Sequence, residues 1–226
     1  MGLVDLIFPR SCLSCGNQGR YVCDSCIKKV PSPKLVCPEC QRPSIDGFTH
    51  IKCKRTLSLD GIISIWCYQG VVRTALLKLK YAYSREIATE ISVYTNSQLD
   101  KFLIALPKNP TLVPIPLYFL KENLRGFNQT EILGKAMAMR QTWKFVPDLL
   151  LRKMLKKPQA ELKGDERKEN IKGVFALNSF YQPLITNHQS LILFDDIYTT
   201  GSTLKEACKV LKRNGANVVW GLTIAR

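Results

Sequence analysis

Apolar and polar positions follow two different rules on either side of residue 57. Residues 1–57 carry no sustained helical or strand period, and cysteine, proline and lysine dominate them. From residue 58 onward, short apolar runs alternate with segments whose apolar residues recur at helical spacing. The runs IISIWCY (62–68), TLVPIP (111–116), DLLLRKM (148–154), VFAL (174–177), SLILF (190–194) and NVVWGLTIA (217–225) read as strands. Helices are predicted over VVRTALLKLKYAY (71–83), residues 85–103, NQTEILGKAMAMR (128–140) and residues 203–214. Asn128 and Glu131 supply an N-cap and capping box for the third helix, and Gly215 a C-terminal cap for the last. Strands alternating with helices imply an α/β fold built on a parallel sheet flanked by helices.

The pattern therefore divides the chain into a small segment, 1–57, and a sheet domain, 58–226. A segment as short and as poor in apolar periodicity as the first cannot close a core alone, so something else must hold it together. Seven of the nine cysteines fall between Cys12 and Cys53. Cys12-x2-Cys15, Cys23-x2-Cys26, Cys37-x2-Cys40 and His50-x2-Cys53 form four short knuckles, and tetrahedral zinc takes four soft ligands in pairs from such turns. Two structural zinc sites are expected, Cys12, Cys15, Cys23, Cys26 and then Cys37, Cys40, His50, Cys53, with a cross-braced pairing as the alternative. Neither leaves an open position for chemistry.

No apolar run reaches the roughly 18 residues that a membrane span needs, and Asp5 stands where a signal peptide would want its apolar stretch. A cytoplasmic protein is the expectation. In that compartment thiols stay reduced, which again favours metal over disulfides. The formal net charge is +15, and zinc-bound thiolates would lower it only to about +12, so attraction to polyanions such as nucleic acid survives.

Against this basic background, LILFDDIYTTGSTL (191–204) sets two adjacent acids. In a parallel sheet, ligands bind where a strand ends and its loop turns into a helix. Asp195 and Asp196 follow the apolar strand, and Thr199, Thr200, Gly201, Ser202 and Thr203 lead into the helix with hydroxyls, backbone N–H groups and a glycine that permits close approach. Vicinal sugar hydroxyls donate to paired carboxylates, and a helix N-terminus accepts a phosphate, so the stretch suits a sugar phosphate. Arg125, in the VPIPLYFLKENLRGFNQTE stretch beside Gly126, Asn128 and Gln129, offers a bidentate grip for further phosphates. LKKPQAELKGDERKENIKG (155–173) is the most charged stretch, either a solvated loop or a flap over a bound anion.

LILFDDIYTTGSTL resembles the phosphoribosyl pyrophosphate signature of type I phosphoribosyltransferases. The resemblance implies that Asp195 and Asp196 hold the ribose hydroxyls, that Thr199 to Thr203 hold the 5′-phosphate, and that Mg²⁺ accompanies the ligand. The order of the cysteine knuckles, LKLKY, VPIPL, RGFNQTE, KKPQAELKGDERKENIKGVF, LFDDIYTTGSTL and the closing LTIAR resembles the ComF family of bacterial competence proteins over nearly the whole chain. The resemblance departs at one point: members of that family typically carry a fourth cysteine pair where this chain has His50 and Cys53. Membership implies a part in natural transformation, handling imported single-stranded DNA on the cytoplasmic side of the inner membrane, peripheral to it and beside other DNA-uptake proteins. The alternative is an active phosphoribosyltransferase acting on an unidentified nucleophile.

Overall fold

The computed structural model of the chain describes residues 10–79, 84–117, 127–153, 172–186 and 189–226. Seven strands are defined there: β1 Gly61–Trp66, β2 Thr111–Pro114, β3 Lys144–Phe145, β4 Leu150–Arg152, β5 Phe175–Leu177, β6 Leu191–Ile197 and β7 Val219–Ala225. The α-helices are α1 Asp24–Ile27, α2 Gly70–Lys78, α3 Ser84–Leu99, α4 Gln129–Gln141, α5 Gln182–Thr186 and α6 Ser202–Arg213. Five strands form one sheet in the order β1-β7-β6-β2-β3, and every pairing in it is parallel. The expected fold class holds: a parallel sheet between helices, with a cysteine-rich N-terminal region.

Side chains alternate across the sheet, and this alternation builds two cores. Ile63 and Ile65 of β1, Leu112 of β2, and Ile192 and Phe194 of β6 face α2, α3 and α4. Ile62, Val113, Leu191 and Leu193 face the opposite side with Leu204, Ala207 and Leu211 of α6. Each fully buried Leu or Ile contributes roughly 1.5–3 kcal/mol over an exposed one. Gly134 lets α4 sit close to the sheet, because a Cβ there would stand 3.0 Å from Leu112 Cδ2 and 3.1 Å from Phe194 Cδ1. The buried hydroxyls of Ser64 and Thr223, partners in the β1–β7 register, satisfy one another at 2.8 Å.

Three expectations change. DLLLRKM and VFAL do form strands, but β4 and β5 leave the parallel sheet and pair antiparallel with each other. β6 runs through Asp195 and Asp196 to Ile197, because backbone pairing with β7 continues past the apolar run (Asp195↔Thr223, Ile197↔Ala225). Finally, the helix expected over 85–103 ends at Leu99, and a 3₁₀ turn, Asp100–Phe102, follows it.

The cysteine-rich region has no core of its own. Cys12, Val22, Cys23, Cys26, Ile27 and Val30 merge with the α2–α3 face, whereas Val36 joins the α6 face. Residues 31–35 pass between them over the carboxyl ends of β1 and β7. There Pro31 O accepts from Cys67 N (2.8 Å) and Lys34 O lies 3.5 Å from Arg226 Nη1. Asp60, nearly buried, then ties the two regions: it accepts from Lys212 Nζ of α6 (2.7 Å) and from Val219 N (2.9 Å), and pairs with Lys54 at 3.2 Å. Among the described residues no helix is long and apolar enough to cross a membrane.

Candidate ligand site and metal centres

At the carboxyl end of β6 the two acids are held differently. Asp195 Oδ1 accepts the backbone N–H of Asp196 (2.9 Å), while Asp196 Oδ2 accepts from Gln129 Nε2, in the first turn of α4 (2.9 Å). Burial pushes the Asp195 carboxyl well above the ordinary carboxylate range, and the adjacent Asp196 raises it further by like-charge repulsion. The residue nonetheless keeps part of its surface open to solvent, so a ligand's donors can reach it. Sugar hydroxyls or a cation placed there would relieve both costs at once.

Beyond the acids, Tyr198 is buried, Thr199 and Thr200 are exposed, and Gly201 turns into α6 with φ +74°, a left-handed conformation that favours glycine. Gly201 is the N-cap of α6, so no capping side chain occupies the first-turn amides from that position. Thr200 Oγ1 lies 2.8 Å from Ser202 Oγ and 3.4 Å from Ser202 N, a long contact that a phosphate oxygen would replace with a shorter, charge-assisted one. Ser202 and Thr203 are half-buried at the helix start. The loop thus exposes hydroxyls and helix-end amides to one side, as an anion site requires.

Arg152 is the cation that sequence reasoning missed. It sits on β4, outside the parallel sheet, with Nη1 3.3 Å from Pro116 O just past β2 and its guanidinium 5.6 Å from the Phe175 ring centre. Its charge pulls the Asp195 carboxyl down against the larger effects of burial and Asp196. An arginine directly after three leucines was the available signal.

Arg125 and Gly126 lie outside the described residues, as do residues 154–171 of the charged stretch. The ends of that stretch are brought together by β4 and β5, where Lys153 N donates to Val174 O (2.7 Å), and Gly173 N donates to Glu206 of α6 (2.9 Å). Asn128 is the N-cap of α4, as expected: its Oδ1 accepts from Thr130 N (3.1 Å) and its Nδ2 lies 3.3 Å from Ile115 O, stitching α4 to the end of β2. Gln129, which follows Asn128, donates its Nε2 to Asp196. Trp66 is buried and Trp143 packs against the core.

The cysteine knuckles come together in sequential fours. The ligand atoms of Cys12, Cys15, Cys23 and Cys26 all lie within 4.8 Å of one another, and so do those of Cys37, Cys40, His50 and Cys53. Sulfurs bound tetrahedrally at 2.3 Å from zinc would be about 3.8 Å apart. Cys15 and Cys23 Sγ stand at 3.7 Å. His50 presents Nδ1 to Cys40 Sγ at 3.3 Å, while its Nε2 lies 3.0 Å from Pro43 O, which selects the tautomer with Nδ1 free to ligate. Without a dication the thiols oppose one another. A hydrogen bond from Ser25 and the Cys26 amide draw Cys23 down to about 6, whereas its contacts with Cys15 and Cys23 push Cys26 up to about 12. The donor sets fit structural zinc, with histidine replacing the eighth thiolate.

Comparison with known proteins places this geometry among relatives. Residues 3–57 match the double zinc ribbon domain family. Competence protein F of Haemophilus influenzae is 32% identical over 230 residues, covering 95% of this chain and 84% of that protein. Competence protein ComFC of Bacillus subtilis is 29% identical, covering 86% of this chain and 78% of its own length. The DNA utilization protein YhgH of Escherichia coli K12 is 26% identical, with 92% and 90% covered.

Proposed function

Because the chain belongs to the family of competence protein F, we propose that it acts in natural transformation, handling imported single-stranded DNA with the help of a phosphoribosyl pyrophosphate site. One observation carries the site: a buried strand delivers Asp195 and Asp196 to the sheet's carboxyl edge and runs straight into a hydroxyl-rich turn at the N-terminus of α6. In this reading the acids accept the ribose hydroxyls, the turn from Thr199 to Thr203 cups the 5′-phosphate, and Arg152 serves the pyrophosphate, for which the sequence also offers Arg125. Magnesium, when bound, neutralises pyrophosphate charge and is held mainly by the ligand's own oxygens. The names of the relatives, which speak of competence and of DNA utilization, and the net charge of +15 support the DNA-handling part. We place this work in the cytoplasm, against the inner membrane and beside other DNA-uptake proteins.

Calorimetry tests the site. Wild-type protein with Mg²⁺ should bind phosphoribosyl pyrophosphate, and Asp195→Asn with Asp196→Asn should abolish binding while far-ultraviolet dichroism is unchanged. Retained binding would move the site elsewhere. Affinity for single-stranded DNA should fall by tenfold or more between about 50 and 200 mM salt; a flat response would remove the electrostatic argument. A second reading, transfer to an unidentified nucleophile, is favoured by Arg152, which stands beside Asp195 at the root of the 154–171 stretch. Release of pyrophosphate with a nucleobase panel or with DNA would select it.

A further inference from the structure

The loop that follows Asp196 does not rest only on its own domain. Tyr198 is 2% exposed, and its ring fills the space beneath Gly201: a Cβ on Gly201 would stand 2.5 Å from Tyr198 Cε2. The ring therefore sets the height of the turn. Its hydroxyl, which a Cβ on Gly201 would approach to 2.6 Å, also reaches the second cysteine cluster, where it lies 3.1 Å from Pro38 O as donor and accepts from Gln41 Nε2 at 2.6 Å.

Pro38 and Gln41 directly follow the ligand residues Cys37 and Cys40. Gln41 N donates to Cys37 O (2.9 Å), which closes the knuckle, and Gln41 adopts φ +62°, a left-handed conformation that this knuckle turn imposes. Its Oε1 accepts from Arg226 Nη2 at 3.2 Å, and the Arg226 guanidinium lies 6.0 Å from the Tyr198 ring centre. A third connection enters from α6, where Lys205 Nζ meets Glu39 Oε2 at 3.3 Å. Three residues of one metal-binding turn, Pro38, Glu39 and Gln41, thus hold the ring, the strand end and the helix that frame the phosphate loop. The first cluster makes no comparable contact among the described residues; it joins α3 through Glu90, which accepts from Val22 N (2.8 Å), and through the bond from Tyr94 to Asp24 (2.9 Å).

We infer that Gln41 and Tyr198 are positioning residues through which the second metal centre, and not the first, supports the phosphate loop, so that metal at Cys37, Cys40, His50 and Cys53 and sugar phosphate at the loop stabilise one another. The inference rests on the phosphoribosyl pyrophosphate reading of that loop. Binding linkage is reciprocal: a metal that stiffens the knuckle favours the bound loop, and an anion that orders the loop must protect the knuckle to the same degree.

Hydrogen exchange on the full-length, zinc-loaded protein tests this, with phosphoribosyl pyrophosphate and Mg²⁺ as the probe. Ligand should slow exchange in peptides within 37–53 by about fivefold or more and leave peptides within 12–26 unchanged. Tyr198→Phe keeps the ring but removes the hydroxyl, and Gln41→Gly keeps the backbone turn but removes the amide. Both should retain full zinc by metal analysis, lose the ligand-dependent protection, and bind the ligand about fivefold or more weakly. Ligand binding that leaves 37–53 unprotected, or variants that respond as wild type does, would overturn the inference alone. A wild-type protein that binds none of this ligand by calorimetry would overturn it together with the functional reading.

Discussion

The two cysteine clusters are near copies in sequence and opposites in placement. The first, with three of its four ligands buried, is part of the core between the sheet and α2–α3. The second buries only Cys37 and leaves Cys40, His50 and Cys53 partly open, yet its turn abuts Tyr198 and α6. Because residues 31–35 cross the carboxyl edge of the sheet, one metal centre lies on each face. Similar donor sets, four cysteines in one and three with a histidine in the other, therefore serve unequal ends: one closes a core, and the other abuts the turn at the start of α6.

That contrast can be broken most severely at the metals. Cys12→Ser should lower the melting temperature by more than about 10 °C or abolish folding, because it opens a core, whereas Cys37→Ser should cost less stability and more ligand affinity. Thermal melts paired with calorimetry separate the two, and equal effects on binding would erase the distinction. Gly201→Ala acts on the braced side alone: the methyl meets the Tyr198 ring in a left-handed backbone, a cost of about 2 kcal/mol and about 4–8 °C. A melt indistinguishable from wild type would show that the turn is loosely held.

The smallest effect runs in the opposite direction. Asp195 has a raised carboxyl value, so the folded state holds a proton that the unfolded chain releases, and stability falls as pH rises from about the ordinary value of 3.8 through the folded value. Asp195→Asn should flatten that slope and raise the melting temperature modestly at neutral pH while removing ligand binding. A pH series of melts on both proteins measures it, and parallel slopes would place the titration elsewhere.

What could be read before folding was whatever a local pattern carries. An apolar run followed by acids, threonines and glycine located β6, its turn and α6 together, and knuckle spacing located both metal centres, with the ligands paired in chain order. Asn128 was legible because a cap acts on its own helix. Arg152, Gln41 and Tyr198 were not. Arg152 acts at Asp195 from 43 positions away, and Gln41 meets Tyr198 across 157, distances over which sequence holds no period. The antiparallel departure of β4 and β5 escaped for a related reason: a three-residue strand reads the same whichever sheet receives it. β3, two residues long, carried no alternation at all.

The close seating of α4 at Gly134 has reach beyond its own packing. Gln129 lies five residues earlier on the same rigid rod, about 7.5 Å along its axis. A methyl wedged at position 134 would lift the rod from Leu112 and Phe194 and carry the Gln129 amide off Asp196. Bulk at a spot that no ligand ever meets would thereby free one carboxylate of the acidic pair, so the absence of a side chain there is a setting for the chemistry at the other end of the helix.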